Sequence, residues 1–180
     1  ILRIHENGSI PLDNPFGTAV YSYGHRNPQG LAWDLNGNLW ATEHGPSGTQ
    51  TGFDEVNFIR SGANYGWPEI KGDQAKETMT RPVIHSGPDE TWAPGGMVII
   101  ENTLYFVGLR GESLYAADIA GDTLQNIRAY FRSEFGRLRT IAQGPDGALY
   151  LLTSNRDGRG TPGEHDDKII KIPRALLTTP

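Results

Sequence analysis

Residues 30–43 read GLAWDLNGNLWATE and residues 140–153 read TIAQGPDGALYLLT. At a constant offset of 110, Leu31 meets Ile141, Ala32 meets Ala142, Gly37 meets Gly147, Leu39 meets Leu149 and Trp40 meets Tyr150. Each stretch is a pair of short apolar runs around Asn36-Gly37 or Asp146-Gly147, which supply the positive φ of a tight hairpin. A third copy, MVIIENTLYFVG (97–108), lies between them with Glu101-Asn102 at the turn. A second strand type recurs beside these hairpins: ILRI at 1–4, VNFI at 56–59, LYAA at 114–117 and IIKI at 169–172, in steps of 55, 58 and 55 residues. A period near 56, with four strands in each unit, suits a β-propeller blade. The expected fold is therefore all-β, a β-propeller of about three four-stranded blades. Residues 1–180 form one partial ring without separate domains, opening and closing on the last strand of a blade. Leu39, Leu104 and Leu149 should occupy equivalent positions. The competing all-β reading is a sandwich of two face-packed sheets with a Greek-key path.

Composition agrees with many short strands. The 23 Gly and 12 Pro punctuate the 180 residues and leave little room for helices. Aromatic residues are spread through the apolar runs, which argues against disorder. A formal net charge of −5 argues against a nucleic-acid partner, which favours a basic face. No apolar run approaches the ~20 residues of a membrane span. The opening Ile1-Leu2-Arg3-Ile4 carries no signal-peptide pattern, and without an initiator Met it reads as a processed or trimmed chain. The absence of cysteine removes disulfides, thiol catalysis and Cys-based zinc sites, and leaves the compartment open.

Propellers carry function in the loops at one end, and four loops stand out. GHRNPQG (24–30) places Arg26 and Asn27 at the mouth of a strand. A guanidinium there suits an anion or a developing oxyanion; equally, Arg26 could pair with a surface carboxylate while Asn27 caps a turn. EHGPSGTQTGFDE (43–55) offers the main-chain carbonyls of Gly45 and Pro46 beside carboxylates, a donor set for a hard cation such as Ca²⁺, though its spacing is not that of an EF-hand and a plain polar Gly-rich loop is the other reading. VGLRGES (107–113) carries Arg110. GRLRT (136–140) carries Arg137 and Arg139, which point to one side of an extended segment. Without a nearby acid such a pair calls for an anionic ligand; a solvated edge strand is the other reading. Several arginines and an amide around one mouth describe a pocket for a small polyanion. The five histidines show no HxH or HExxH spacing, and there is no GxSxG elbow or P-loop.

GHRNPQGLAWD (24–34), TEHGP (42–46), DEVN (54–57) and NYGWP (64–68) follow one another in an order that resembles the soluble pyrroloquinoline quinone (PQQ)-dependent glucose/sorbosone dehydrogenases, whose short members are called aldose sugar dehydrogenases. The resemblance continues through TWAPGGM (91–97), ENTLYFVGLRG (101–111), GRLRTIAQGPDGALYLLT (136–153) and KIIKI (168–172), covering essentially the whole chain. It implies the C-terminal half of a six-bladed propeller. The implied activity is oxidation of the C1 hydroxyl of an aldose to the lactone, with hydride passing to C5 of PQQ. Residue by residue, the resemblance implies Arg26 beside the quinone oxygen where charge develops, and Asn27, Thr91, Arg110, Arg137 and Arg139 in contact with the cofactor. Arg110 stands where long members carry Lys. Gly45 and Pro46 would hold an active-site Ca²⁺ through their carbonyls, and Glu55 and Tyr65 keep the spacing of two ligands of a separate structural Ca²⁺.

The resemblance further implies the remaining blades as a partner, an external electron acceptor, and a periplasmic or secreted location. The family's general base is a His of the N-terminal half, so the isolated chain is expected to be inactive. Two other functions compete: a calcium-dependent propeller lactonase, with a metal ringed by carboxylates and amides, and a non-catalytic binding propeller.

Overall fold

The computed structural model describes residues 1–48 and 51–177. Three antiparallel sheets follow one another along the chain. The first contains β1 (Pro28–Trp33), β2 (Leu39–Glu43), β3 (Glu55–Ile59) and β4 (Ile84–His85), in that order. The second contains β5 (Pro94–Ile100), β6 (Thr103–Gly108), β7 (Leu114–Ala120) and β8 (Thr123–Tyr130). The third contains β9 (Leu138–Gln143), β10 (Leu149–Thr153) and β11 (Ile169–Ile172), and a 3₁₀ turn over Arg174–Leu177 follows it. Every strand pairs with its sequence neighbour, the meander of a propeller blade.

The repeat fixes the register. Leu39 faces Trp33 and Ile59, Leu104 faces Ile99 and Ala117, and Leu149 faces Gln143 and Ile172. These three leucines are equivalent, as the sequence predicts. The turns repeat too: Asp34 N–H donates to Asn38 O at 3.0 Å and Gly144 N–H to Ala148 O at 2.9 Å. Both loops end on a glycine in the left-handed region, Gly37 at φ 78° and Gly147 at φ 77°. A side chain at either would meet open space, so backbone conformation alone selects glycine.

The first strands of the sheets, β1, β5 and β9, lie side by side. Glycine permits the approach: a Cβ on Gly30 would come within 2.9 Å of Gly95 O, and one on Gly95 would strike Arg139 O. Thr42 Oγ1 donates to Gly95 O at 3.0 Å across the same seam. One apolar core, with Ala32, Trp40 and Val56 against Met97, Leu104 and Phe106, seals the first sheet to the second. Another, with Tyr105, Val107 and Leu114 against Leu138, Ile141 and Leu149, seals the second to the third.

Two expectations change. ILRI is not a strand; Leu2 makes an isolated bridge to Val20, and Leu2 and Ile4 are exposed. VNFI, LYAA and IIKI are third strands, not last ones, with β4 and β8 outside the first two. The third sheet has three strands among the described residues.

Candidate functional site

The loop after β2 and the loop before β1 are tied together by one buried carboxylate. Glu43 Oε2 accepts from the backbone N–H of Arg26 at 2.9 Å and of Asn27 at 3.3 Å. Its Oε1 accepts from Asn57 Nδ2 at 2.8 Å and lies 3.0 Å from His25 Nδ1. His25 Nε2 in turn lies 2.8 Å from Ser22 Oγ, and its ring stacks on Tyr65 at 4.5 Å. This chain is sealed from solvent at Ser22, Glu43 and the His25 side chain. It therefore positions the Arg26–Asn27 backbone and offers no room for a substrate.

A cleft of about 620 Å³ opens between these loops and those after β6 and β10. Arg26, Asn27, Gly45, Pro46, Thr91, Arg110 and Arg137 all line it. Six loop segments from three sheets thus converge at one end of the blades. Among the described residues, Arg26 has no carboxylate partner. Nη2 donates to Ser47 Oγ at 2.9 Å, Nη1 to His44 O at 3.4 Å, and the guanidinium lies 5.5 Å from the Trp67 ring centroid. Asn27 Oδ1 accepts from Gln29 Nε2 at 2.9 Å. Asp54 is buried beneath the cleft, with Oδ1 accepting from Gly45 N–H at 2.9 Å and Oδ2 from Ala93 N–H at 2.8 Å.

The arginine pair needs a correction. Arg137 and Arg139 do have an acid beside them: Asp157 Oδ2 accepts from Arg137 Nε at 3.1 Å and Nη2 at 2.8 Å, and lies 3.7 Å from Arg139 Nη2. Arg137 holds the Asp157 carboxyl down at about 2. Arg137 Nη1 also donates to Leu109 O at 3.1 Å, bridging the third sheet to the second. Arg139 stands outside the cleft lining, half-exposed, and adds to the positive field at His44. The lining also includes His44 and Arg159, which the sequence reading left unassigned. His44 Nε2 donates to Pro94 O at 2.9 Å, and burial holds its imidazole below the usual value.

Two donor sets bear on calcium. A Cβ on Gly45 would collide with the Gly52 and Phe53 carbonyls, so this loop admits only glycine there. Among the described residues, the carbonyls of Gly45 and Pro46 accept no hydrogen bond, so both are available to a hard cation. Glu55 and Tyr65 line a smaller crevice together with Gly45, Pro46 and Trp67. Burial, with the Glu43 charge adding to it, pushes the Glu55 carboxyl up to about 7. The Tyr65 hydroxyl is committed, donating to Phe58 O at 2.6 Å and accepting from Arg60 N–H at 2.9 Å. Any metal contact from Tyr65 falls to its carbonyl.

The sequence profile of the Glucose / Sorbosone dehydrogenase family matches residues 1–170. The chain belongs to this family. It is similar to the PQQ-bound aldose sugar dehydrogenase from Streptomyces coelicolor, with 43% identity and a TM-score of 0.86, covering 94% of this chain and 50% of that one. An oxidoreductase (glucose dehydrogenase) from Thermus thermophilus is 41% identical with a TM-score of 0.88, covering 96% of this chain and 54% of that one. Aldose sugar dehydrogenase YliI from Escherichia coli K12 is 32% identical over 187 residues, covering 88% of this chain and 48% of its own length. The chain spans about half the length of these relatives. Family membership and the three antiparallel meander sheets together give the chain a β-propeller fold of this family.

Proposed function

We propose that this chain is the cofactor- and calcium-binding half of a PQQ-dependent aldose sugar dehydrogenase. One observation carries the reading: Arg26, Arg110 and Arg137 line the same cleft as two main-chain carbonyls with no hydrogen-bond partner among the described residues. A rigid polyanion with a calcium ion matches that combination of forked cations and hard oxygen donors. The lactonase reading asks for a ring of carboxylates. The carboxylate at this cleft, Asp54, is spent on two backbone N–H groups.

PQQ, when bound, would supply two-electron oxidising power for the C1 hydroxyl of the aldose, with an external acceptor as the final electron sink. Binding and orientation fall to the chain's own residues. Gly45 and Pro46 present carbonyls for Ca²⁺, and Glu55 with the Tyr65 carbonyl would serve a second, structural Ca²⁺. Thr91, Asn27, Arg110 and Arg137 would hold the cofactor's polar edge, and Arg139, outside the lining beside Asp157, would add its charge from a distance. Arg26 would offer its guanidinium to the negative charge that develops on the cofactor, and Glu43 fixes its backbone through the Arg26 N–H.

His44 is the histidine in the lining of this cleft. His25 is sealed between Ser22 and Glu43, and one nitrogen of His44 is bound to Pro94 O. A positioned base contributes about 10²–10⁴-fold, and in this reading it belongs to the remaining blades. A periplasmic or secreted location accompanies the proposal.

The test has two arms. Titration of the purified chain with PQQ, with and without Ca²⁺, should give a saturable cofactor absorbance change that a chelator weakens. Dye-linked glucose oxidation should be absent for the chain alone and appear when the N-terminal half of such an enzyme is added. No cofactor signal would overturn the proposal, and turnover by the chain alone would make His44 the candidate base.

A further inference from the structure

We infer that Arg159 is a further anion-binding residue of the cleft, taking a carboxylate of the bound cofactor; this rests on the proposed PQQ site. Arg159 lines the cleft with Arg110 and Arg137, on the loop that follows β10. The charges of that group are not equally committed. Arg137 is neutralised by Asp157 and further held by Leu109 O, and Arg139 leans on the same Asp157 carboxylate. Asp54 is occupied by the Gly45 and Ala93 amides. Among the described residues, no carboxylate pairs with the guanidinium of Arg110 or of Arg159.

The loop fixes the main chain of Arg159 and leaves its side chain to the cleft. Asp157 Oδ1 accepts from Arg159 N–H at 2.9 Å, while Gly158 turns the chain at φ 83°. The same carboxylate therefore anchors Arg137 through one oxygen and the Arg159 backbone through the other. Two uncommitted guanidiniums sharing one concave surface repel each other until an anion joins them. The planar fork of Arg matches a carboxylate with two parallel hydrogen bonds, which a solvated Lys does not reproduce. Arg156 gives the contrast. It lies on the same loop and is exposed, but its guanidinium donates to Asp166 O and Gly163 O and does not line the cleft.

The experiment is a PQQ titration in Ca²⁺ at two salt concentrations, comparing the unmodified chain with Arg159→Ala, Arg159→Lys and Arg156→Ala. The dissociation constant should rise about tenfold in Arg159→Ala, equivalent to ~1.4 kcal/mol. Arg159→Lys should fall between it and the unmodified chain, because charge is kept and the fork is lost. Salt should weaken the Arg159→Ala complex less than the unmodified one. Arg156→Ala should stay within about twofold of the unmodified chain. Equal affinities for Arg159→Ala and the unmodified chain, or equal losses in Arg159→Ala and Arg156→Ala, would overturn the inference and leave the PQQ reading standing. Failure of the unmodified chain to bind PQQ at up to about 1 mM would remove both. Arg159 is exposed, and Arg159→Lys keeps the test readable should the alanine variant melt early.

Discussion

Leu31, Met97 and Ile141 hold the same place in the three sheets: each sits on the first strand, facing Ala41, Phe106 and Leu151 on the second. Met97 is 7% exposed and Ile141 5%, because the preceding sheet covers them. Leu31 is 45% exposed. Near it, Trp33 is also exposed, and a groove of about 750 Å³ runs between this face and the segment at residues 1–4. Ile1, Tyr21 and Ala63 cover part of the face through Leu39 and Ile59, but not Leu31. One repeat position therefore has two environments, and the difference is the presence of a neighbouring sheet. The face of the first sheet is built like a covered one. The proposed reading places a further sheet on this face.

The covered side should be the costly one to damage. Leu104 is fully buried between the first and second sheets. Leu104→Ala removes its contacts and leaves a cavity, costing about 3–4 kcal/mol. Urea denaturation of the two chains measures this, and a loss below ~1 kcal/mol would mean that the two sheets do not share a tight core.

Gly95→Ala attacks the same seam from the backbone. The new methyl would meet Arg139 O, a main-chain atom that can yield only if β5 and β9 separate. The expected loss is about 2–3 kcal/mol, in the range of overpacked cores. The added Cβ faces the neighbouring sheet, so this variant reports on the inter-sheet approach more directly than a side-chain truncation does.

These elements were readable in sequence to different depths, and for physical reasons. The hairpin copies were legible because strand alternation and turn glycines are local. An offset of 110 carries Gly37 onto Gly147, and both prove to need positive φ. The ILRI segment failed because an apolar strand pattern does not say what it pairs with: Leu2 makes one isolated bridge to Val20 and stays exposed. Asp157 was missed because its bond to Arg137 spans 20 residues and runs between loops, outside any strand pattern. A signal existed all the same. The β9–β10 register, carried past the strand ends, sets Arg137 opposite Ser154 and Asn155, and Asp157 follows on that side. Arg159 falls to the same argument. The cleft arginines at 26, 110 and 137 were legible because family motifs fix them in order, whereas the pairing that neutralises one of them was not.

The Arg137–Asp157 pair also belongs to the covered side, since Arg137 reaches Leu109 O of the second sheet. Arg137 depresses the Asp157 carboxyl to about 2, against an unfolded value near ~3.9. A depressed carboxylate contributes its stability in full above the unfolded value and loses it as pH falls through the folded one. The contribution should therefore be complete above pH ~4 and fade toward pH ~2. Asp157→Asn should lower the melting temperature slightly at pH 7 and flatten the decline between those limits. Parallel acid melts that remain superimposable would show that the pair is too solvated to matter.

The smallest effect is the one that tests the comparison itself. Leu31 shares its repeat position with Ile141, so a reading based on sequence pattern alone would assign both the same cost. With 45% of Leu31 in solvent and no sheet over it, Leu31→Ala creates no cavity in this chain. Its loss should stay within about 0.5 kcal/mol, the range of surface substitutions. Ile141→Ala, covered by the second sheet, should cost about 2–4 kcal/mol. The decisive step is to repeat both measurements with the N-terminal half of such an enzyme present. If a preceding sheet docks on this face, Leu31 becomes a covered residue and its truncation should approach the cost at Ile141. The Ile141→Ala value should not move, because its neighbour is already in place. A Leu31→Ala cost that stays small in the joined protein would show that the open face of the first sheet is a true outer surface.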